Sequence, residues 1–121
     1  MFPKMKKGKP PKHPPTEKRV SLISIDDHPI VWRGLRELVA EHPPFQLVGE
    51  APTGQMGIDL ANKLRPDLVI MDIQLPDMSG LEAARQILAQ RPRTRIVVFA
   101  ADAAQPLVDE ALKAEIGRAH V

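Results

Sequence analysis

Short apolar runs alternate with amphipathic stretches from Val20 onwards, and this alternation constrains the fold more than any other feature. Four apolar runs have the length of strands: residues 20–25, 45–51, 67–71 and 95–99. The stretches between them carry apolar residues at helical spacing. Strand–helix units in a row predict an α/β fold, in which helices cover both faces of a parallel sheet.

The predicted helices fill the intervening segments. They run from Pro29 to about His42, then over residues 54–65, from Leu81 to about Gln90, and over residues 103–114. Proline is tolerated in the first turn of a helix, which suits Pro29. The residues expected to face the core are Ile58, Ala61 and Leu64 in the second helix, and Ala84, Ile87 and Leu88 in the third.

The composition is that of a single globular domain. Of the 121 residues, 43% are hydrophobic and 26% are charged, which suffices for one core. The absence of cysteine excludes disulfides, thiolate metal sites and cysteine nucleophiles, and it favours a cytoplasmic setting. No apolar run approaches the ~18 residues of a membrane span, so we expect no membrane contact.

Residues 1–19 differ from the rest of the chain. They hold five Pro and six Lys, and with Arg19 and one Glu their net charge is +6, so the remaining residues carry −4 of the total of +2. With few apolar residues to offset the entropy of ordering, this segment is predicted to be a disordered basic tail. Its function stays open between a contact with nucleic acid or an acidic partner and a solubilising extension or wrongly assigned start.

Three carboxylates follow two of the predicted strands. Asp26 and Asp27 come directly after the first strand, and Asp72 comes after the third. Ligands of open α/β sheets bind at the carboxyl ends of the strands, so these acids share one pocket if the two strands are neighbours. Crowded carboxylates repel one another, which either raises the pKa of one of them or recruits a cation, and oxygen ligands suit Mg²⁺ with a phosphate. Taken singly, Asp26 or Asp27 could cap the next helix, and Asp72 could end a strand in a turn.

Four segments together resemble the receiver domain of bacterial two-component response regulators, closest to the NarL/FixJ type. They are IDDHPIVWRGLRELV, FQLVGEAPTG, PDLVIMDIQLPDMSGLEAARQI and RIVVFAAD, and the resemblance covers residues 20–114. It implies a flavodoxin-like, doubly wound parallel sheet of five strands, of which four strand–helix units are present and the fifth strand and helix are missing. It also implies a phosphoprotein of a phosphorelay rather than an enzyme.

The resemblance implies a role for each acid at the strand edge. Asp72 would accept a phosphoryl group from a sensor histidine kinase. Asp27 would ligate Mg²⁺ directly, and Asp26 would do so directly or through water. The backbone carbonyl of Gln74 would complete the protein ligands.

Other positions near the acids either match the family or depart from it. Pro76 and Gly80 match the loop after the acceptor, where the backbone passes close to the site before a helix starts. For His28, a structural role is favoured over that of a metal ligand. At the end of the fourth strand the family has a Ser or Thr that bonds the phosphoryl oxygen, but this chain has Ala100. Without that hydrogen bond, we expect the free energy that couples phosphorylation to the conformation of the domain to be smaller by ~1.5–3 kcal/mol.

The last residues also depart from the family pattern. The family continues with a fifth strand and a lysine that pairs with the phosphoryl group, and no residue here takes that role. Residues 115–121 (EIGRAHV) instead resemble the translation of a short-read sequencing adapter. We therefore expect a non-native tail on a truncated receiver domain that is poorly phosphorylated, the alternative being a natural helix end.

The resemblance further implies partners and an output. The intact protein would regulate transcription through a C-terminal DNA-binding domain that is missing here, and the family pattern allows a homodimer. Two alternatives stay open: a receiver that docks partners without phosphorylation, which Ala100 would suit, and a Mg²⁺-dependent phosphohydrolase. The phosphohydrolase is disfavoured because such enzymes carry an acid/base aspartate two residues after the nucleophile, where this chain has Gln74.

Overall fold

A computed structural model describes residues 19–100, which form a four-stranded parallel sheet and three helices. In chain order the elements are β1 (Val20–Ile25), α1 (Pro29–Ala40), β2 (Phe45–Ala51), α2 (Gly54–Leu64), β3 (Leu68–Asp72), α3 (Gly80–Gln90) and β4 (Arg95–Phe99). The predicted parallel α/β fold is confirmed. The basic tail, the predicted fourth helix and residues 115–121 lie outside the described residues.

The order of the strands in the sheet is β2-β1-β3-β4, so β1 and β3 are neighbours. Near their carboxyl ends, Ile25 pairs with Met71. The Asp26 N–H donates to the Ala51 carbonyl of β2 at 2.9 Å, which extends the ladder one residue beyond β1. The residues that follow β1 and those that end β3 therefore meet at one edge of the sheet.

Apolar side chains pack against both faces of the sheet. On one face, α1 packs on alternate residues of the central strands, and the buried cluster includes Val31, Leu35, Val39, Leu22 and Ile70. On the other face, α2 and α3 pack on the intervening residues, and that cluster includes Ile58, Ala61, Ile87, Ile23 and Met71. Successive strand residues point to opposite faces, so β1 and β3 are buried on both sides, as their continuous apolar runs predict. None of the helices in residues 19–100 has the length and apolar character needed to cross a membrane.

The third strand lies one residue later than predicted, beginning at Leu68 rather than Asp67 and ending at Asp72. The Asp67 carboxylate accepts hydrogen bonds from the backbone N–H and the hydroxyl of Ser21, at 2.9 and 3.2 Å. Asp72 pairs with Phe99 of β4. Asp72, which was predicted to follow the strand, is thus the last residue of β3.

Two predicted inward positions are wrong. Leu88 of α3 is 39% exposed, whereas Ala83 is fully buried beside Ile87. Residues four apart lie on one face of a helix, so the buried stripe follows Ala83 and Ile87 and leaves Leu88 at its border. In α2, Leu64 is 37% exposed because the helix ends there, at the left-handed Arg65 (φ 52°).

Candidate functional site

The three acids predicted from the sequence meet at the carboxyl ends of β1 and β3. Asp26 and Asp72 are buried, with 0% and 1% of their surface exposed, while Asp27 faces solvent. One ligand atom from each of them, together with one from His28, lies within 4.8 Å of all the others. The neighbouring positions of β1 and β3 bring these side chains together.

Asp72 is held in place by its own loop. Its Oδ1 accepts a hydrogen bond from the Gln74 N–H at 3.1 Å. The next residue, Ile73, donates its N–H to the Phe99 carbonyl of β4 at 2.7 Å. Burying a carboxylate is costly unless it is bonded, and the Gln74 N–H supplies part of that compensation.

Asp26 has one satisfied and one unsatisfied oxygen. Its Oδ1 accepts from the His28 N–H at 2.7 Å and lies 2.6 Å from His28 Nδ1. Its Oδ2 is buried, and no hydrogen-bond partner for it is found among the described residues. Burial raises the pKa of Asp26, although both hydrogen bonds with His28 act in the opposite direction. A buried carboxylate oxygen without a donor is a group that a cation or an ordered water would satisfy.

The imidazole ring of His28 lies among the three carboxylates. Besides its contact with Asp26, Nδ1 is 3.2 Å from Asp27 Oδ1 and 3.4 Å from Asp72 Oδ2. The hydrogen bond with Asp26 raises the pKa of His28 above its ordinary value, and desolvation only partly opposes this. The sequence favoured a structural role for His28 over that of a metal ligand. In the structure its Nδ1 lies in the same cluster as the three carboxylates.

A cavity of about 830 Å³ opens over the acids. Its lining includes Asp27, His28, Asp72, Gln74, Pro76, Ser79 and Ala100. The position where the family carries a hydroxyl therefore faces the same space as Asp72, with a methyl group there instead. Asp72 and Ala100 thus line one cavity together with Asp27 and His28.

Gly80 starts α3 directly against the end of β3. A Cβ at this position would overlap the backbone carbonyl oxygen of Asp72. The Gly80 N–H donates to the Ile73 carbonyl at 2.7 Å. Ser79 caps the helix by accepting from the N–H groups of Leu81 and Glu82. The loop after Asp72 thus returns close to it, as the match of Pro76 and Gly80 to the family loop implied.

Asp77, in the loop after Asp72, has a structural role that sequence analysis missed. Its two carboxylate oxygens accept from the N–H groups of Gly54 and Gln55, at 2.8 and 2.9 Å, in the first turn of α2. Both hydrogen bonds lower the pKa of Asp77, and the bond from Gln55 has the larger effect. The partners are 23 and 22 residues away in the chain, so no local pattern could have revealed them. The bonds join the loop after Asp72 to the start of α2.

Comparison with known proteins identifies the family. The profile of the response regulator receiver domain matches residues 22–119. The chain belongs to the receiver domain family. Among its relatives, the nitrate/nitrite response regulator NarL of Escherichia coli strain K12 is 39% identical over 93 residues, which cover 77% of this chain and 43% of NarL. The transcriptional regulatory protein DegU of Brevibacillus brevis is 29% identical and covers 80% of this chain and 41% of DegU.

Solved receiver structures have the same fold. A LuxR-family response regulator from Aurantimonas is 35% identical with a TM-score of 0.65, over 69% of this receiver and 59% of that chain. The receiver domain of NarL from Mycobacterium tuberculosis is 26% identical with a TM-score of 0.66, over 70% and 68% of the two chains. These neighbours confirm the flavodoxin-like receiver fold that the sequence motifs implied.

The receiver spans less than half the length of these curated relatives. A protein-glutamate methylesterase of Alkalilimnicola ehrlichii matches as well, at 37% identity over 67% of this chain but only 20% of its own length. Receiver domains thus occur in transcriptional regulators and also beside an enzyme. The family assignment therefore supports phosphorylation-based signalling and leaves the output of a longer protein to be proposed.

Proposed function

We propose that this receiver accepts a phosphoryl group on Asp72 from a sensor histidine kinase. The observation that carries the proposal is the position of Asp72: a buried carboxylate at the end of β3, beside Asp26 and Asp27 and open to a cavity of about 830 Å³. A carboxylate can act as a nucleophile towards phosphorus when charge on the phosphoryl oxygens is neutralised. The neighbouring acids suit that purpose because they can hold a divalent cation.

Mg²⁺ fits the donors at this edge of the sheet. Asp26, Asp27, Asp72 and the backbone carbonyl of Gln74 would hold it, all through oxygen atoms of the kind Mg²⁺ prefers. The unpartnered buried Oδ2 of Asp26 supports a cation, since it would otherwise remain unsatisfied. When bound, Mg²⁺ neutralises negative charge on the transferring phosphoryl group.

The chain's own residues orient the acceptor. The Gln74 N–H bonds Oδ1 of Asp72 and so restricts rotation of the carboxylate. As the bond from a carboxylate oxygen of Asp72 to phosphorus forms, the bond from phosphorus to the donor's imidazole nitrogen breaks, and the electron pair returns to that nitrogen. The product is an acyl phosphate on Asp72 and an unphosphorylated donor histidine.

The partners and output of the intact protein are part of the proposal. NarL and DegU are described as response regulators or transcriptional regulators, which supports an output on transcription through a DNA-binding domain beyond this chain. RcsB, which is 27% identical with a TM-score of 0.62, has been solved as dimers bound to DNA, and this supports a homodimer of the intact protein. A cytoplasmic location follows from a histidine kinase as donor.

A second candidate function is docking without phosphorylation. Ala100 favours it, because this residue lines the cavity without the hydroxyl that would bond a phosphoryl oxygen. In that case the fold would present one constant surface to partners, and the state of Asp72 would not change their affinity. Partner affinity that is equal for the wild type and for Asp72→Asn under phosphorylating conditions would support docking alone.

Phosphorylation by a small donor tests the main proposal. The chain is incubated with acetyl phosphate and Mg²⁺, and the phosphorylated fraction is separated by phosphate-affinity electrophoresis. In keeping with the poor phosphorylation expected from the sequence, we expect weak labelling that EDTA abolishes and that Asp72→Asn prevents, whereas Asp59→Asn, on the exposed side of α2, labels like the wild type. Equal labelling of Asp72→Asn and the wild type would contradict the proposal.

A further inference from the structure

His28 places a nitrogen ligand inside a cluster of oxygen ligands. Its Nδ1 lies 2.6, 3.2 and 3.4 Å from oxygens of Asp26, Asp27 and Asp72. An imidazole at the rim of an acidic site could point into solvent, yet this one points towards all three carboxylates. The position of Nδ1 is the feature that the phosphoryl-acceptor role does not use.

The backbone fixes the base of the ring. The His28 N–H donates to Asp26 Oδ1 at 2.7 Å, and the His28 carbonyl accepts from the Val31 N–H at 3.0 Å as α1 begins. The His28 side chain makes no capping bond to the helix, although the residue occupies the N-cap position. The ring therefore makes no capping bond in α1, while the backbone of His28 is held beside the acids.

The spacing of Nδ1 from two of the three carboxylates suits one six-coordinate ion. With bonds of ~2.1 Å, adjacent ligand atoms of an octahedral ion lie ~3.0 Å apart and opposite ones ~4.2 Å apart. Nδ1 lies 3.2 Å from Asp27 Oδ1 and 3.4 Å from Asp72 Oδ2, close to the adjacent spacing. The contact of Nδ1 with Asp26 Oδ1, at 2.6 Å, is a hydrogen bond that has to open before Nδ1 can bind an ion.

Ligand chemistry distinguishes the ions that such a site accepts. Mg²⁺ takes oxygen ligands, whereas imidazole suits Zn²⁺, Ni²⁺ and other first-row transition metals. The buried Asp26 Oδ2, which lacks a hydrogen-bond partner in residues 19–100, is a separate group that a cation at this site would satisfy. Three carboxylates and one imidazole form a mixed nitrogen–oxygen set of the transition-metal type.

We propose that His28 Nδ1 is a fourth metal ligand that shifts the selectivity of this site towards first-row transition metal ions. The proposal rests on the proposed function, because it uses the same carboxylates as the Mg²⁺ site. A transition metal ion keeps the imidazole as a ligand, whereas Mg²⁺ gains nothing from it. His28 is thus a selectivity-determining residue of the receiver.

The test compares two ions in two variants. Affinities of the full chain for Co²⁺ and Mg²⁺ are measured by calorimetry at one fixed pH for the wild type, His28→Ala and the control His42→Ala, a histidine two residues beyond α1. Removing even a group that only supports a ligand costs ~10–100-fold in metal affinity, so we expect at least a ~10-fold loss of Co²⁺ affinity in His28→Ala. Mg²⁺ affinity should not fall, and His42→Ala should bind both ions like the wild type.

The visible absorption spectrum of bound Co²⁺ gives a second readout. Loss of a nitrogen ligand changes this spectrum, so we expect a different spectrum in His28→Ala and in His28→Asn, both checked for folding by circular dichroism. An unchanged Co²⁺ affinity and spectrum in His28→Ala, or equal losses for both ions, would overturn the proposal. If the wild type binds Mg²⁺ in these cases, the phosphoryl-acceptor proposal survives. A wild type that binds neither ion would contradict both.

Discussion

Gly80 lies so close to Asp72 that a Cβ on residue 80 would overlap the backbone carbonyl oxygen of Asp72. The first residue of α3 is therefore packed against the last residue of β3. The Gly80 N–H also bonds the Ile73 carbonyl, so this contact sets how the loop carrying Gln74 and Pro76 returns to the sheet. The position of Asp72 and the start of α3 are thus coupled through the backbone.

Gly80→Ala should destabilise the receiver. The added methyl group meets backbone atoms that cannot rotate away, and overpacking of this kind costs ~1–3 kcal/mol. Urea denaturation measures the free energy of unfolding. Gly49→Ala is the matched control, because a Cβ there meets only the side-chain ends of Leu60 and Leu64. Equal losses in the two variants would show that the Gly80 contact is not rigid.

Ala100→Thr should strengthen the response of the receiver to a phosphoryl group. A hydroxyl at this position of the cavity would bond the phosphoryl oxygen with ~1.5–3 kcal/mol, which is about tenfold or more in affinity. Beryllofluoride with Mg²⁺ serves as the phosphoryl analogue, and NMR titration gives its affinity. Ala100→Val has nearly the same shape as threonine without the hydroxyl, so a gain of the same size in that variant would disprove the role of the bond.

Asp77 should make stability depend on pH in the acidic range. Its pKa is lowered in the folded state, so the unfolded chain takes up the proton first as the pH falls. Its contribution is therefore complete above the ordinary aspartate pKa of ~3.9 and is lost as the pH falls through the lower folded value. The difference in Tm between the wild type and Asp77→Asn should be constant near neutral pH and shrink below about pH 4.

Amide hydrogen exchange tests the two hydrogen bonds that Asp77 accepts. In Asp77→Ala at neutral pH, we expect the amides of Gly54 and Gln55 to exchange several-fold faster than in the wild type, since both lose their acceptor. The Met56 amide is the internal control, because it donates to Thr53 Oγ1 instead. Equal acceleration at all three amides would indicate general fraying of α2 rather than loss of the Asp77 bonds.

Ile87 and Leu88 should differ in their contributions to stability. Ile87 is fully buried between α3 and the sheet, whereas Leu88 is 39% exposed. Ile87→Ala should lower the free energy of unfolding by ~2–5 kcal/mol, as expected for a cavity in a core, and Leu88→Ala should cost well under ~2 kcal/mol. Urea denaturation distinguishes them, and a larger loss for Leu88→Ala would restore the inward face predicted from the sequence.

The wrong prediction that Leu88 faces the core shows which features of the fold the sequence pattern does not determine. The bounds of β1, β2 and β4 match the predicted runs, and a proline stands at each end of β2, at positions 44 and 52. In α3, Ala83 and Ala84 are equally plausible inward residues by periodicity, and only packing against the sheet selects Ala83. Asp72 joined β3 because β4 pairs with it, which is a tertiary contact that no local pattern contains.

The functional site, like the fold, could be predicted from the sequence only in part. The rule that ligands bind at carboxyl ends of parallel strands brought Asp26, Asp27 and Asp72 together, given that β1 and β3 are neighbours. The direction of the His28 ring could not be predicted, since it depends on a side-chain rotamer at the start of α1. The Asp77 bonds could not be predicted either, because they join a loop to the start of α2, and the two are adjacent only in the folded chain.

The most direct test identifies the residue that carries the phosphoryl group. The chain is treated with acetyl phosphate and Mg²⁺, then reduced with borohydride, which converts an aspartyl phosphate to homoserine, and the digested peptides are sequenced by mass spectrometry. We predict homoserine at position 72 in the presence of Mg²⁺ and none when EDTA is added. Homoserine at position 26 or 27, with none at position 72, would contradict the assignment of Asp72 as the acceptor.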